Sequence, residues 1–166
     1  MVEWQRVGFV HGVMNTDNMS ILGKTIDYGP YSFLDDYDPN FTPNTTDLPG
    51  RRYAFGNQPS VAYWNLGKLA SALLPLFEDS KELEGALRTY EDSFWNKYYE
   101  MMSNKLGLDE VTEEDKHLLA NFEKVLSTTK PDKTMFYRLL IDFPLEEVED
   151  EKVLIYFGDI FYDETD

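Results

Sequence analysis

Apolar residues recur at helical spacing over much of the chain after Pro59. Residues three and four positions apart share one face of a helix, so this spacing predicts amphipathic helices. Pro59 suits the first turn of the first of these helices. Its predicted buried face consists of Val61, Trp64, Leu66, Leu69, Leu73 and Leu76.

A second helix is predicted from about Ser80 to Leu106, where Gly107 would end it. Its apolar stripe carries Leu83, Leu87, Tyr90, Phe94, Tyr98 and Met101. Thr112 and Asp115 have the spacing of a capping box, with Asp in place of the usual Glu. This pair predicts a third helix that continues to about Leu126.

Asp132 is placed to cap a fourth helix. Four residues of this helix are predicted to be buried: Met135, Phe136, Leu139 and Leu140. At least four helices and one small hairpin predict a fold that is mainly α, and α+β for a longer parent protein.

The chain before Pro59 follows a different pattern. Met1–Val10 predicts the end of a helix that begins without an N-cap. Two short apolar stretches, Met19–Leu22 and Thr25–Ile26, flank the dipeptide Gly23-Lys24, which predicts a hairpin with a type II′ turn. Residues 30–58 show no periodicity, and loops of this length are usually functional or disordered.

Composition narrows the class of protein. The chain has 166 residues and is 42% hydrophobic and 15% aromatic, which predicts one folded domain rather than a disordered segment. It has no cysteine and only two histidines, so thiol chemistry and zinc sites rich in Cys or His are excluded. No apolar run approaches the roughly 18 residues of a membrane span, and no signal peptide is visible. A membrane is therefore not an expected partner.

The formal net charge is −16. From residue 109 to residue 166, 17 Asp and Glu stand against 6 Lys and Arg, so this part carries −11 of that charge. Such a surface repels nucleic acid, which is therefore not an expected partner either. The acidic part is interpreted as a solvated surface.

Candidate chemistry is concentrated between His11 and Gly29. Asp17 and Asn18 precede the predicted hairpin, and Asp27 follows it. Two carboxylates and a carboxamide brought together by a hairpin suit Mg²⁺, which prefers oxygen ligands and often binds substrate phosphates as well. The alternative is that all three are ordinary turn residues.

The spacing resembles that of protein kinases, in which a catalytic loop H-x-D-x-x-x-x-N precedes a hairpin that ends in Asp-Phe-Gly. His11 and Asn18 occupy the matching positions, and Asp27 begins an Asp-Tyr-Gly sequence. The position of the catalytic Asp, however, is Val13. An acid occurs instead at Asp17, so an ordinary kinase is not favoured.

Three stretches, HGVMNTDNMSI, TIDYGPYSFLDDYDP and RRYAFGNQPSVAYWNL, closely resemble the selenoprotein O (SelO) family of pseudokinase-like proteins. The resemblance implies a kinase-like fold that binds ATP in an inverted orientation. It also implies transfer of AMP to Ser, Thr or Tyr hydroxyls of proteins with Mg²⁺ or Mn²⁺. Asp17 would be the catalytic base, and Asn18 and Asp27 would ligate the metal, with Asp27 also facing the nucleotide.

The resemblance also implies an organisation. Residues 1–29 would form the catalytic loop and metal-binding hairpin of a kinase-like C-terminal lobe, 30–58 a long aromatic loop, and 59–166 a helical subdomain with an acidic end. No Gly-x-Gly occurs, so the nucleotide-binding N-terminal lobe is expected to be missing. The chain is therefore interpreted as an internal piece of a longer enzyme, inactive without the missing lobe.

Three further residues are weaker candidates. His11 is expected to orient the loop. Arg51 and Arg52 are candidates for contacts with phosphate or with the acceptor protein, although pairing with nearby loop acids is favoured. The expected partners are proteins with hydroxyl acceptors, and the expected compartment is the cytoplasm of a bacterium or the mitochondrion of a eukaryote. The competing functions are a non-catalytic acidic module that binds other proteins and, less favoured, a phosphotransferase kinase.

Overall fold

The computed structural model describes residues 1–109, 111–144 and 146–161. These residues are mainly helical, as predicted, and include a two-stranded antiparallel sheet. The regular elements are α1 (Val2–Val7), β1 (Phe9–Val10), β2 (Ser32–Phe33), α2 (Gln58–Leu73), α3 (Lys81–Leu106), α4 (Glu113–Thr129), α5 (Lys133–Ile141) and α6 (Asp150–Phe157). Short 3₁₀ turns lie at Thr16–Asn18, Thr45–Asp47, Phe55–Asn57, Leu74–Leu76 and Gly158–Ile160.

The chain divides into two compact units. The first contains Met1–Phe33 and Pro39–Met101, and the second contains Leu34–Asp38 and the described part of Met102–Asp166. None of the described helices has the length and apolar character needed to cross a membrane. The kinase-like lobe and the three-part division of the chain stay predictions.

The two strands of the sheet in the first unit flank the candidate loop in the sequence. Strand β1 pairs with β2 so that Phe9 lies opposite Phe33 and Val10 opposite Ser32. The 21 residues between the strands are therefore held at both ends, and they include all three candidate oxygen ligands. Val10 is fully buried, whereas the Phe33 side chain is half exposed.

The predicted buried face of α2 is wrong in part. Trp64, Leu69 and Leu76 are 44%, 41% and 80% exposed. The buried positions are Gln58, Val61, Ala62 and Asn65. These four positions have helical spacing, but two of them are polar. A prediction from apolar residues alone therefore places the buried face of α2 about one position away from the observed face.

The predicted Gly23-Lys24 turn is also wrong. The tight turn is closed by the Gly23 N–H, which donates to the Ser20 carbonyl at 3.0 Å, so Ile21 and Leu22 occupy its middle. Gly23 follows the turn with a φ of 68°, a conformation that glycine adopts at little cost. The hairpin is reduced to one bridge between Met19 and Thr25.

The predictions for the longer helices hold. Helix α3 ends before Gly107, whose φ is 69°. Each residue of its predicted stripe is half-buried or buried. Helix α4 begins with the predicted capping box, in which the Thr112 hydroxyl accepts from the Asp115 N–H and the Asp115 carboxylate accepts from the Thr112 N–H.

Helix α5 begins as predicted, with the Asp132 side chain accepting from the Met135 N–H at 2.8 Å. Met135 itself is 44% exposed, contrary to the prediction, while Phe136, Leu139 and Leu140 are half-buried. The most buried side chain of this helix is Lys133, whose ammonium lies 5.7 Å from the centre of the Tyr137 ring. A long cationic side chain can bury its stem in this way while its head contacts an aromatic face.

Replacement of Thr112 by Ala removes one side of the capping box. We expect the free energy of unfolding at pH 7 to fall by about 1 kcal/mol, the usual effect of losing a Thr N-cap. The matched control is Thr128→Ala in the same helix, where the hydroxyl donates to the Lys124 carbonyl and loss should have little effect. Urea unfolding followed by circular dichroism measures both changes.

The effect of Thr112→Ala should depend on pH. The backbone N–H and the hydroxyl of Thr112 hold the pKa of Asp115 below its ordinary value of 3.8. A depressed carboxyl pKa stabilises the fold above the ordinary value, and this stabilisation is lost as the pH falls through the folded-state pKa. The difference between the variant and the unmodified chain should therefore shrink below pH 3.8. An undiminished difference there would contradict the ionic part of the box.

Candidate functional site

His11 links the two halves of the candidate loop. Its side chain is fully buried. The Val13 N–H donates to His11 Nδ1 at 3.3 Å, so the ring hydrogen lies on Nε2, which donates to the Ile26 carbonyl at 2.7 Å. The residue before Asp27 is thus tied to the start of the loop. This geometry supports the orienting role predicted for His11.

Helix α2 holds the loop through two buried polar side chains. Gln58 accepts from the His11 N–H and donates to the Phe9 carbonyl, both at 2.9 Å. Asn65 donates to the Met14 carbonyl, also at 2.9 Å. Backbone groups buried without partners would be costly, so these contacts fix the path of the chain. Sequence reasoning missed both residues, although they lie on the same helix face as Val61 and Ala62.

The long loop closes over Gly12 from the other side. Gly12 has a φ of 81°, and a Cβ atom there would lie 3.1 Å from Pro43 Cγ and 3.2 Å from the Pro30 carbonyl oxygen. The Asn44 side chain donates to the Gly12 carbonyl at 3.0 Å. Glycine is required at this position because both the backbone conformation and the space exclude a side chain.

Asp17 lies in the exposed 3₁₀ turn Thr16–Asn18. No described residue donates a hydrogen bond to its carboxylate, so both oxygens are available to a ligand. The neighbouring Asn18 is oriented, since its Nδ2 donates to the Val13 carbonyl at 3.0 Å. This contact leaves the carboxamide oxygen of Asn18 as the end that can accept from or ligate another group.

Asp27 adopts a left-handed conformation with a φ of 51°, which is uncommon for a residue with a side chain. Such conformations cluster at functional sites. No three His, Cys, Asp or Glu side chains gather as a metal site within the part of the chain that the structure describes. Asn18 and Asp27 supply hard oxygen donors of the type that Mg²⁺ and Mn²⁺ accept, but a metal there would need water or phosphate for its remaining ligands.

An open pocket of about 520 Å³ adjoins Asp17. Its wall is made by Asn15, Thr16, Asp17, Arg52, Tyr53 and Trp64. The Tyr53 hydroxyl donates to the Asn15 side chain, which fixes one edge of the pocket. The Arg52 guanidinium lies 4.5 Å from the centre of the Trp64 ring. Tyr53 and Trp64 were not predicted as pocket residues, because their proximity to Asp17 depends on tertiary packing.

The favoured pairing of Arg51 and Arg52 with loop acids does not occur among the described residues. Arg51 has a φ of 47° and donates through Nη1 to the Asn40 carbonyl at 3.1 Å. The nearby carboxylate of Asp47 instead accepts from the backbone N–H groups of Arg52 and Tyr53 at 3.0 and 2.8 Å. Arg52 therefore has its charged end directed to the aromatic wall of the pocket.

Curated relatives define the class of protein. Three similar proteins carry the name protein nucleotidyltransferase YdiU. The chain is 61% identical to the one from Cytophaga hutchinsonii over 166 residues, which is 100% of this chain and 32% of that protein. It is 52% identical to the one from Xanthomonas campestris pv. campestris over 99% of this chain and 31% of that protein. Identity with the one from Flavobacterium johnsoniae is 57%, over 84% and 27% of the two chains.

A family model described as protein adenylyltransferase SelO matches residues 1–161. The chain belongs to the SelO family, which confirms the resemblance seen in the sequence. It spans about a third of the length of the curated relatives that it matches.

Removal of the Gln58 side chain should loosen the whole loop. We expect Gln58→Ala to lower the free energy of unfolding of the first unit by about 3 kcal/mol, because two buried backbone groups lose their partners. The matched control is Gln5→Ala, which removes one half-buried hydrogen bond to the Phe55 carbonyl and should cost about 1 kcal/mol. Urea unfolding followed by tryptophan fluorescence measures both, and equal effects would contradict the role assigned to Gln58.

Proposed function

We propose that this chain supplies the catalytic loop of a protein adenylyltransferase, which transfers AMP from ATP to Ser, Thr or Tyr hydroxyls of other proteins. Membership of the SelO family and the names of the relatives support nucleotidyl transfer. The observation that carries the residue assignment is the exposed carboxylate of Asp17, which has no partner among the described residues and lies on a loop tethered by the buried His11.

In the proposed reaction, the acceptor hydroxyl oxygen forms a bond to the α-phosphorus of ATP and pyrophosphate leaves. Asp17 accepts the hydroxyl proton, a role that suits an exposed carboxylate within reach of an incoming polypeptide. Asn18 and Asp27 would hold Mg²⁺ or Mn²⁺, and a bound divalent cation would neutralise charge on the phosphates. His11 acts as a positioning residue, because it contacts the Ile26 carbonyl beside Asp27.

Val13 argues against a base at the position where an ordinary kinase carries one. Both backbone groups of Val13 are used, the N–H by His11 Nδ1 and the carbonyl by Asn18 Nδ2. Its side chain offers no proton acceptor where a kinase carries its base. A base at Asp17 instead places the attacked phosphorus elsewhere, and attack at the α-phosphate satisfies that change.

Activity is proposed to need more than this chain. Nucleotidyl and phosphoryl transfer depend on positioning and charge stabilisation, so a base and two metal ligands alone achieve little. The chain spans 32% of the Cytophaga relative, and the groups that hold ATP are proposed to lie in the remaining part. We expect the 166-residue chain to transfer no measurable AMP by itself.

The test uses a chimera in which this chain replaces the aligned segment of the Cytophaga relative. With α-labelled ATP and Mg²⁺ or Mn²⁺, the chimera should label protein acceptors or itself. Asp17→Asn should lower the rate by about 10³-fold, because the proton acceptor is lost. The matched control is Asp92→Asn, an exposed carboxylate on α3 whose loss should leave the rate unchanged.

Three outcomes would overturn parts of this proposal. Labelling from γ-labelled but not α-labelled ATP would identify a kinase. Labelling by the 166-residue chain alone would contradict its dependence on the remaining segments. A chimera that folds and binds other proteins but transfers nothing from ATP would favour the non-catalytic module.

A further inference from the structure

Two cationic side chains share one aromatic ring beside Asp17. The Arg52 guanidinium carbon lies 4.5 Å, and the Lys68 ammonium 4.8 Å, from the centre of the Trp64 ring. Trp64 is 44% exposed, so the arrangement is open to solvent. Cation–π contacts orient both charges without neutralising them.

Neither cation has an acidic partner among the described residues. This is notable because the chain contains 31 Asp and Glu against 15 Lys and Arg. Asp47, the acid tied to the backbone of Arg52, already accepts from two N–H groups and from the Thr42 hydroxyl. Two like charges held near one ring repel each other, and a bound anion would offset this repulsion.

The position of the pocket indicates which reactant would supply the anion. Its wall includes Asp17 but neither Asn18 nor Asp27, the proposed metal ligands. An anion bound at Arg52 is therefore beside the proposed base on a wall that the metal ligands do not form. In the proposed reaction the acceptor hydroxyl must approach Asp17, whereas the phosphates of ATP must approach the metal.

A second hollow of about 320 Å³ favours a polypeptide over a small anion. It shares Thr16 with the first pocket and is lined by apolar side chains and by Lys68 and Asn65. Asn65 is 5% exposed, and its Oδ1 is a buried acceptor with no hydrogen-bond partner in the part of the chain that the structure describes. A polypeptide crossing Thr16 could place an apolar side chain in the hollow.

We propose that Arg52, Lys68 and Trp64 select acceptor proteins that carry an Asp or Glu close to the modified hydroxyl. The carboxylate would bind the Arg52 guanidinium, with Lys68 adding charge from the other contact on the ring. This inference rests on the proposed function, since it assigns the pocket to the acceptor of that reaction. Because the rest of the chain is strongly acidic, the preference for an acidic residue should be limited to the position that contacts Arg52. The preference should weaken as the salt concentration rises, since salt screens exposed charges.

Binding is tested without catalysis on the 166-residue chain. The probes are three fluorescein-labelled peptides of one sequence that contain a Tyr and differ only in one neighbouring residue, Asp, Asn or Lys. Fluorescence anisotropy should give the tightest binding for the Asp peptide. Arg52→Gln should lower the affinity for the Asp peptide about fivefold, to the affinity for the Asn peptide. The matched control Arg88→Gln, an exposed arginine on α3, should leave the order and the affinities unchanged.

Two outcomes of the binding test overturn the inference. If the chain bound the three peptides with equal affinity, no acidic residue would be recognised. The same would follow if Arg52→Gln weakened the binding of all three peptides equally. Displacement of the Asp peptide from the chimera by ATP, at concentrations that saturate the chimera's nucleotide site, would identify the bound anion as a phosphate of the nucleotide. Unchanged binding of the Asp peptide in the presence of ATP supports an acceptor site.

A kinetic test in the chimera separates this inference from the proposed function. Arg52→Gln should raise KM about fivefold for the Asp peptide while kcat and the KM for ATP stay within about twofold. Arg52→Glu should reverse the preference in favour of the Lys peptide, which a merely structural role would not produce. AMP transfer without any preference would overturn the inference alone, whereas preferential binding without AMP transfer would overturn the proposed function alone.

Discussion

Two hydrogen bonds from the buried Gln58 side chain to the ends of β1 are the contacts on which the candidate site depends. The carboxamide accepts from the His11 N–H and donates to the Phe9 carbonyl, as a neighbouring strand would. Strand β1 has only two residues and one partner strand, so the sheet alone could not hold it. Helix α2 therefore replaces sheet structure with a side chain and fixes the residue from which the loop departs.

Further hydrogen bonds connect this point to the loop that carries the candidate residues. His11, held through its backbone by Gln58, uses both ring nitrogens inside the loop, one for Val13 and one for Ile26. The carboxylates of Asp17 and Asp27 stay exposed on this rigid support. In the proposed reaction the buried polar contacts position the loop and the exposed oxygens carry the chemistry, so the two requirements fall on different residues.

What could be predicted from the sequence depended on how local the signals are. The capping box at Thr112 and the glycine after α3 act within one turn, and both predictions hold. The family was recognisable because its characteristic stretches are continuous in sequence, and the family match confirms it. The roles of Asp17, Asn18 and Asp27 stay predictions. The turn at Gly23 was misassigned because a glycine can either begin the middle of a type II′ turn or stand at the last position of a tight turn.

The buried face of α2 and the pocket wall escaped prediction because they depend on contacts between distant residues. Gln58 and Asn65 are polar and were not among the residues predicted to be buried, yet each binds backbone groups about 50 residues away in the chain. Trp64 was assigned to the core by its apolar character, yet it is exposed and carries two cations.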